Sequence, residues 1–554
     1  MNSNIEQQEN SKKNLLKQAG ILAIAGIISR VIGLLYGSPL AAIIGDEGNG
    51  YYGAAYNVYT IILLISAYSI PSAMSKIISG KLAVKEYRNA HRIFKCALVY
   101  VAIVGGIGSL ILFFGADILA TGNSAVVLRF FAPTIFIFGF LGVLRGYFQA
   151  HRTMVPTSIS QLIEQILNAI VSVGGALILT NIAGNEDATK RAVYGAIGSA
   201  IGTGSGVVIA LLFMYFVYSV NRKGIHKRVN ADSHEDMPTS EIFRMILMIV
   251  TPFIISTAIY NLSSYLNNVF FNRILMHVRN IDEQQVATMY GIFIRKSMLI
   301  TNIPIAFASA AASAMMPELS AAFSKGDKAE VRDIVSRVLR VIYMISVPCA
   351  VGLFALARPV VTILFPQRSS IGEASMLLMV LSVTVIFYSI STVTNAVLQG
   401  IGKLIAPVIN AAISLVAQGV ILVPLLLYTN LNDIALCIVT IVYSLMMCVL
   451  NNIVMKKHIH ARNDFRKAYL LPSISAAVMG GVAFGVFKLF ELLFGLFVPS
   501  WYFVNLFATM FAVAAAIPCY FVVLIKSGGA SEEDIRRFPK GAAIVRLLKK
   551  FRVL

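Results

Sequence analysis

The stretch Leu15–Ile44, LLKQAGILAIAGIISRVIGLLYGSPLAAII, is almost unbroken apolar sequence with one arginine, Arg30, near its middle. About twenty such residues in a helix are enough to cross roughly 30 Å of hydrocarbon, so this stretch spans a bilayer. An ionisable side chain at that depth is costly even with water or a partner beside it, and it is kept for a function by default. The stretch holds no carboxylate to neutralise it. Arg295 and Lys296 repeat the situation inside a second apolar run, 286–316, which also lacks an acid. A water-filled, positively charged cavity that meets an anion partway across the membrane is the simplest reading of both.

The rest of the chain extends the pattern. Of 554 residues, 57% are hydrophobic and only 13% are charged, which excludes a soluble multidomain protein. Fourteen spans are expected, over 15–44, 52–80, 93–114, 126–148, 156–181, 192–220, 241–271, 286–316, 333–357, 371–399, 404–428, 431–455, 468–494 and 500–526. They are far longer than the roughly ten residues of a membrane strand, so they must be helices. The expected fold is all-α and polytopic.

Positive charge sets the expected orientation. With a cytoplasmic N-terminus, one face collects Lys81, Lys85, Arg88, Arg92, Lys95, Arg152, Arg222, Lys223, Lys227 and Arg228, then Lys325, Lys328, Arg332, Lys403, Lys456, Lys457, Arg462, Arg466 and Lys467. The opposite loops hold Lys190, Arg191, Arg273, Arg279, Arg358 and Arg368. This bias places both termini in the cytoplasm. The net charge of +20 then needs anionic membrane lipid as its partner, and no nucleic acid, because no basic domain stands outside the spans. The polar start, Met1 to Gln18, precedes an apolar run too long for a signal-peptide core, so the first span is expected to stay uncleaved. Cys96, Cys349, Cys437, Cys448 and Cys519 lack CxxC spacing, and the seven histidines lack HExxH spacing, so neither a metal nor a disulfide framework is expected. No GxxxxGK[ST] loop occurs, and no cofactor is implied.

An internal duplication organises the spans. Pro71 and Gly80 precede a basic amphipathic stretch through Arg92, as Pro317 and Gly326 precede one through Arg337. Leu144, Gly146 and Pro156 are echoed by Leu398, Gly400 and Pro407. Two pseudo-symmetric six-helix lobes around a central cavity follow, 1–220 and 241–456, related by an axis along the membrane normal. A cytoplasmic linker, 221–240, joins them; two further helices occupy 457–526 and a basic cytoplasmic tail 527–554.

The run Arg145, Gly146, Tyr147, Phe148, Gln149, followed by Pro156, Thr157, Ser160, Gln161, Glu164 and Gln165, resembles the signature of polysaccharide-biosynthesis flippases related to stage V sporulation protein B. Ser29, Arg30, Val31, Ile32 and Gly33 are similar to the first helix of MurJ-type lipid II flippases. Both groups belong to the multidrug/oligosaccharidyl-lipid/polysaccharide exporter (MOP) superfamily. The resemblance extends over the whole chain, including a glycine-rich first outer loop, Gly45 to Gly50, and the two extra C-terminal helices. It implies a transporter rather than an enzyme. Its cargo is expected to be an undecaprenyl-pyrophosphate-linked saccharide, above all the peptidoglycan precursor lipid II, flipped outward by alternating access. The expected setting is a bacterial cytoplasmic membrane, beside cell-wall synthesis proteins, with a role in cell shape. The resemblance also gives cavity roles to Arg30, Arg295 and Lys296. The chain departs from the MurJ-type pattern at Tyr36 and Gly37, and in offering only Lys76 in the second span, where further arginines are usual. Elementary chemistry agrees with an anionic cargo, because a guanidinium matches pyrophosphate oxygens bidentately and stays charged when buried.

Each candidate also has a structural reading. Arg30 binds the anion or clamps a neighbouring helix. Arg295 and Lys296 point roughly 100° apart on a helix, so one faces the cavity, with Arg295 the expected one, and the other a neighbour. Lys76 joins the site or snorkels to the interface. Asn261, Ser264, Asn267 and Asn268 form a polar stripe suited to sugar hydroxyls or to interhelical hydrogen bonds. Glu164 binds a coupling cation or holds Arg145 in a salt bridge. Lys488 and Glu491, three apart, pair on one face or line a groove for a lipid tail. Pro71, Pro304 and Pro317 are candidate bending points. Two rival functions have sequence features to test them. An antiporter of cationic drugs normally needs a buried acid, which spans one, seven and eight lack; a membrane glycosyltransferase would use acids such as Asp46 and Glu47, but the outer loops are too short to build its site.

Overall fold

The computed structural model describes residues 2–68, 70–151, 153–184, 187–459, 466–529 and 546, with the side chains of 2–24, 27, 68, 252–253, 255–260, 313–314 and 317 outside that description. Most of the expected basic tail, Arg152, Arg462 and the Pro317 side chain therefore lie outside the described residues. Those residues form helices and no strand.

The first helix, α1, runs Asn2–Leu63 and is broken once, at Gly45, where φ 70 and ψ 178 leave the helical region. Glycine adopts that conformation without a Cβ penalty. The expected loop over Gly45 to Gly50 is thus a single-residue break, and the helix resumes at Asp46. The reason lies in the side chains: Asn49 Nδ2 donates to the Gly45 carbonyl at 2.6 Å, and Tyr51 Oη donates to Glu47 Oε1 at 3.1 Å. Beyond α1, a π-helical turn at Leu64–Tyr68 leads into α2, Ile70–Ala83. The wider turn accommodates Pro71, which has no N–H to give. The apolar stretch Ile28–Ala83 is 56 residues long, about 84 Å if helical throughout, so it holds two of the expected spans.

There follow α3 (Tyr87–Phe114), α4 (Ala116–Leu119), α5 (Asn123–Ala150), α6 (Val155–Ala183), α7 (Ala188–Asn230), α8 (Thr239–Arg273) and α9 (Glu283–Gly291). Then come α10 (Leu299–Ser324), α11 (Lys328–Ala355), α12 (Ala357–Leu364), α13 (Ile371–Leu381), α14 (Thr384–Gly400), α15 (Ile405–Tyr428), α16 (Asn432–His458), α17 (Leu471–Gly495) and α18 (Trp501–Lys526). Among the described residues eleven helices are long and apolar enough to cross a membrane, or twelve with α13 and α14 taken as one span bent by 44°. The expected count of fourteen is not reproduced by that criterion: α1 and α2 merge two spans into one apolar stretch, and α8 is not among the helices that meet it.

The chain forms two compact units, 1–291 and 292–554. Inside the first, α5 packs on α2, α3 and α7, and α6 on α7; inside the second, α14 packs on α10, α11 and α16, and α15 on α16. The same neighbour pattern in both supports duplication. A Cβ on Gly146 of α5 would lie 2.7 Å from the Pro71 carbonyl oxygen and from Met74 Cβ on α2, and one on Gly400 of α14 would lie 2.9 Å from Leu319 on α10. Small residues let such membrane helices approach closely. The turns also match. Lys85 N, Glu86 N and Tyr87 N donate to the carbonyls of Leu82, Lys81 and Lys85, and Gly326 N, Asp327 N and Lys328 N donate to those of Phe323, Ala322 and Gly326. Lys85 (φ 64) and Gly326 (φ 75) share the left-handed position. The structural counterpart of Gly326 is therefore Lys85, five residues beyond the Gly80 suggested by spacing from the prolines.

Helix α8 belongs to the first compact unit because Ile242, Ile246 and Val250, one turn apart, are buried in the same apolar cluster as Ile70, Ile93 and Phe94. The connector before it is clamped to the start of α3. Asp232 accepts from Arg88 N at 2.7 Å and from His234 N at 3.0 Å, Asn89 Nδ2 donates to the Glu235 carbonyl at 3.0 Å, and Met237 N donates to Asn89 Oδ1 at 2.9 Å. The backbone donors of Arg88 and His234 hold the Asp232 carboxyl down at about 2. Hydrogen bonds from Lys81 and Asn89 lower Glu86 likewise. In the second unit α17 and α18 pack on each other, and Tyr520 Oη donates to the Met344 carbonyl of α11 at 2.8 Å.

Candidate functional site

Arg30 is exposed and, among the described residues, has no hydrogen-bond or ion-pair partner. The exposed apolar stripe of α1 runs through Ile28, Val31 and Leu35. At roughly 100° per residue, Arg30 stands about 100° round the helix from Val31 and about 140–160° from Ile28 and Leu35. Its own face carries Gly26 and Gly33, where an added Cβ would meet nothing within 4 Å. Toward Gly45 that openness ends: Asn168 Nδ2 of α6 donates to Tyr36 Oη at 3.3 Å, and Leu40 and Ile44 are buried with Ala176. So α1 is closed against α6 from Tyr36 onward and open at the level of the arginine.

Other candidates in the first unit divide between open and paired positions. Lys76 is exposed midway along α2. On α8, Asn261 and Ser264 are half-buried, whereas Asn267 and Asn268 are buried. Asn57 Nδ2 donates to Tyr290 Oη at 2.6 Å, tying α1 to α9. Arg145 is buried; its Nη2 donates to Glu164 Oε2 at 2.7 Å and its Nε to Ser160 Oγ at 2.9 Å. That pair joins α5 to α6 and satisfies a guanidinium that would otherwise sit dry.

In the second unit, Arg295 and Lys296 fall in a π-helical segment, Ile292–Met298. Such wide turns are frequent at functional sites, because they break the helix's regular spacing of side chains. Lys296 is only 1% exposed, and its Nζ donates to Ser370 Oγ at 2.6 Å, just before α13. Ser297 Oγ donates to the Ala374 carbonyl at 3.1 Å, so these two side chains face α13. Arg295 is half-buried. Far along the chain, Lys488 Nζ and Glu491 Oε2 pair at 2.7 Å on an exposed face of α17.

Sequence spacing did not disclose a polar cluster around Glu47. Gln284 Nε2 donates to Glu47 Oε2 at 3.1 Å, and Glu283 Oε1 accepts from Asn123 N at 2.6 Å, capping α5. These carboxylates are engaged in holding α1, α5 and α9 together. Only the i, i+4 relation of Glu47 and Tyr51 was visible beforehand. Among the described residues no group of His, Cys, Asp and Glu is arranged to hold a metal ion.

A family model described as "Polysaccharide biosynthesis protein" matches residues 15–323, more than half of the chain. The chain belongs to that family. A second model, MatE, matches residues 252–425. The chain is 23% identical over 429 residues to the lipid II flippase MurJ of Bacillus subtilis (strain 168), covering 74% of this chain and 77% of that protein. It is 24% identical over 424 residues to stage V sporulation protein B of the same organism, covering 74% and 78%. Among solved structures, an inward closed conformation of lipid II flippase MurJ matches with TM-score 0.65 at 13% identity, over 91% of this chain and 97% of that one. An inward-facing MATE family transporter of the MOP superfamily matches with TM-score 0.62 at 18% identity, over 78% and 95%. This family member is thus a multi-pass membrane protein that shares its fold with these solved structures.

Proposed function

We propose that this protein flips a lipid-linked, phosphorylated saccharide across the bacterial cytoplasmic membrane, with lipid II as its foremost cargo. The observation that carries the reading is Arg30: an exposed guanidinium on a membrane helix, turned away from the apolar stripe, with no partner among the described residues. The names of the relatives supply the cargo class. Two lobes alternate access, both termini are cytoplasmic, and the C-terminal helices carry no part of the headgroup site. In this reading Arg30 binds the pyrophosphate, Lys76 meets the headgroup on entry, and Asn261 and Asn267 face the saccharide. The lipid tail stays in hydrocarbon. With the cell interior negative, outward movement of each negative charge is favoured by about 2.3 kcal/mol per 100 mV, so the membrane potential can bias the cycle. Association with cell-wall synthesis enzymes follows from the same cargo.

The test is complementation of a host depleted of its lipid II flippase, with lipid-linked intermediates assigned to their leaflets. Rescue by the parent and none by Arg30→Ala is the expected result; equal rescue by both removes Arg30 from the site. The second reading, export of cationic drugs, draws on the MatE match and the MATE-like fold. It predicts resistance to cationic dyes in cells that express the protein, and no change in lipid intermediates.

A further inference from the structure

At the end of the first unit that carries the α2–α3 turn, a buried histidine sits among cations. His91, in the first turns of α3, is 5% exposed, and neither ring nitrogen has a hydrogen-bond partner among the described residues. A buried polar group left so costs about 1–3 kcal/mol and asks for a reason. Its ring lies edge-on to that of His226 on α7, with centroids 5.4 Å apart. Arg222 Nε donates to His226 Nε2 at 3.2 Å. Lys95 stands one helical turn beyond His91 on the same face of α3. Among the described residues none of the four contacts a carboxylate, although Arg88 and Arg92 next to them are both matched to Asp236. Two imidazoles, a guanidinium and an ammonium therefore converge without their counter-charge.

The surface beside them is apolar and open. Val99, Ile103 and Ile107 continue the Lys95 face of α3 at one-turn intervals and are about half exposed. Cations at the end of a membrane helix, with uncovered aliphatic side chains leading from them into the bilayer, have the polarity of a phospholipid. We infer that this is a headgroup site for an anionic phospholipid. Arg222 and Lys95 hold the phosphate through charge-assisted hydrogen bonds, the half-buried His226 ring, backed by His91, donates to a further oxygen, and an acyl chain lies along Val99, Ile103 and Ile107. The site is separate from Arg30 and holds whatever the cargo proves to be.

The experiment uses the full-length protein in detergent, with binding read by native mass spectrometry and by the thermal unfolding midpoint as phosphatidylglycerol, phosphatidylcholine or inorganic phosphate is added. Phosphatidylglycerol should bind saturably and raise the midpoint, well ahead of phosphatidylcholine, while inorganic phosphate alone does neither. His226→Phe and Arg222→Gln should each weaken phosphatidylglycerol binding roughly tenfold, the worth of one charge-assisted hydrogen bond. Lys223→Gln, exposed on the same turn of α7, should not. Arg222 is on the surface, so its variant folds even if His226→Phe does not. Unchanged phosphatidylglycerol binding in Arg222→Gln would overturn the assignment, as would saturation by inorganic phosphate with no further effect of lipid.

Discussion

Arg30 and Arg145 are both arginines in membrane helices, and their surroundings assign them different work. Arg145 is buried and answered by Glu164 and Ser160; Arg30 is open and unanswered among the described residues. Removing one partner of a buried pair strands the other charge, at about 3–5 kcal/mol. Glu164→Ala should therefore lower the thermal unfolding midpoint sharply, and the double change Arg145→Met with Glu164→Leu should recover most of the loss; a single variant as stable as the parent would contradict a structural role for the pair. Arg30→Ala should do the reverse, leaving insertion and stability unchanged while transport is lost, with Arg30→Lys retaining part of it because an ammonium keeps the charge but not the bidentate geometry. The residue types were legible in the sequence, since an arginine without an acid in its own span stands out. What each one touches was not. The Lys296–Ser370 bond spans 74 residues and the Asn123–Glu283 cap 160, and no spacing rule reaches that far.

Helices were legible as periodic apolar runs, whereas their breaks were not. Glycine at Gly45 could equally have marked a loop, and only the side-chain bonds of Asn49 and Tyr51 show why the helix resumes at once. The π-helical turns at Leu64–Tyr68 and Ile292–Met298 have no sequence signature beyond the proline that follows the first. Close helix contacts give a sharp comparison. Gly146→Ala drives a methyl into Pro71 and Met74 and should cost about 1–3 kcal/mol, as overpacking does. Gly33→Ala, facing open space, should cost nothing and gain up to about 1 kcal/mol of helix propensity. Equal midpoints for the two variants would contradict the packing described. The α7–α8 connector makes a pH prediction. Asp232 sits at about 2 in the folded chain, below its ordinary 3.8, so its clamp on α3 contributes in full above about pH 4 and is lost as the pH falls toward 2. Limited proteolysis of the connector by pepsin should accelerate across that window, and Asp232→Asn should make it fast already at the upper end.

At the scale of the molecule, the all-α polytopic class and the superfamily were readable from composition and from two short runs, around Arg30 and from Arg145 to Gln165. The duplication was readable too, but five residues out of register at Gly326, because prolines mark where a helix bends and not where its turn closes. The compact units divide at Gly291 because α8 buries Ile242, Ile246 and Val250 with the first unit, a preference that hydropathy alone does not express. The account stands most directly on one measurement: the rate at which the headgroup of a labelled undecaprenyl-pyrophosphate-linked saccharide changes leaflet in proteoliposomes holding the purified protein. The parent should move the label faster than protein-free vesicles, and Arg30→Ala should fall to the protein-free rate. An Arg30→Ala protein that flips as fast as the parent, or a parent no faster than lipid alone, would contradict it.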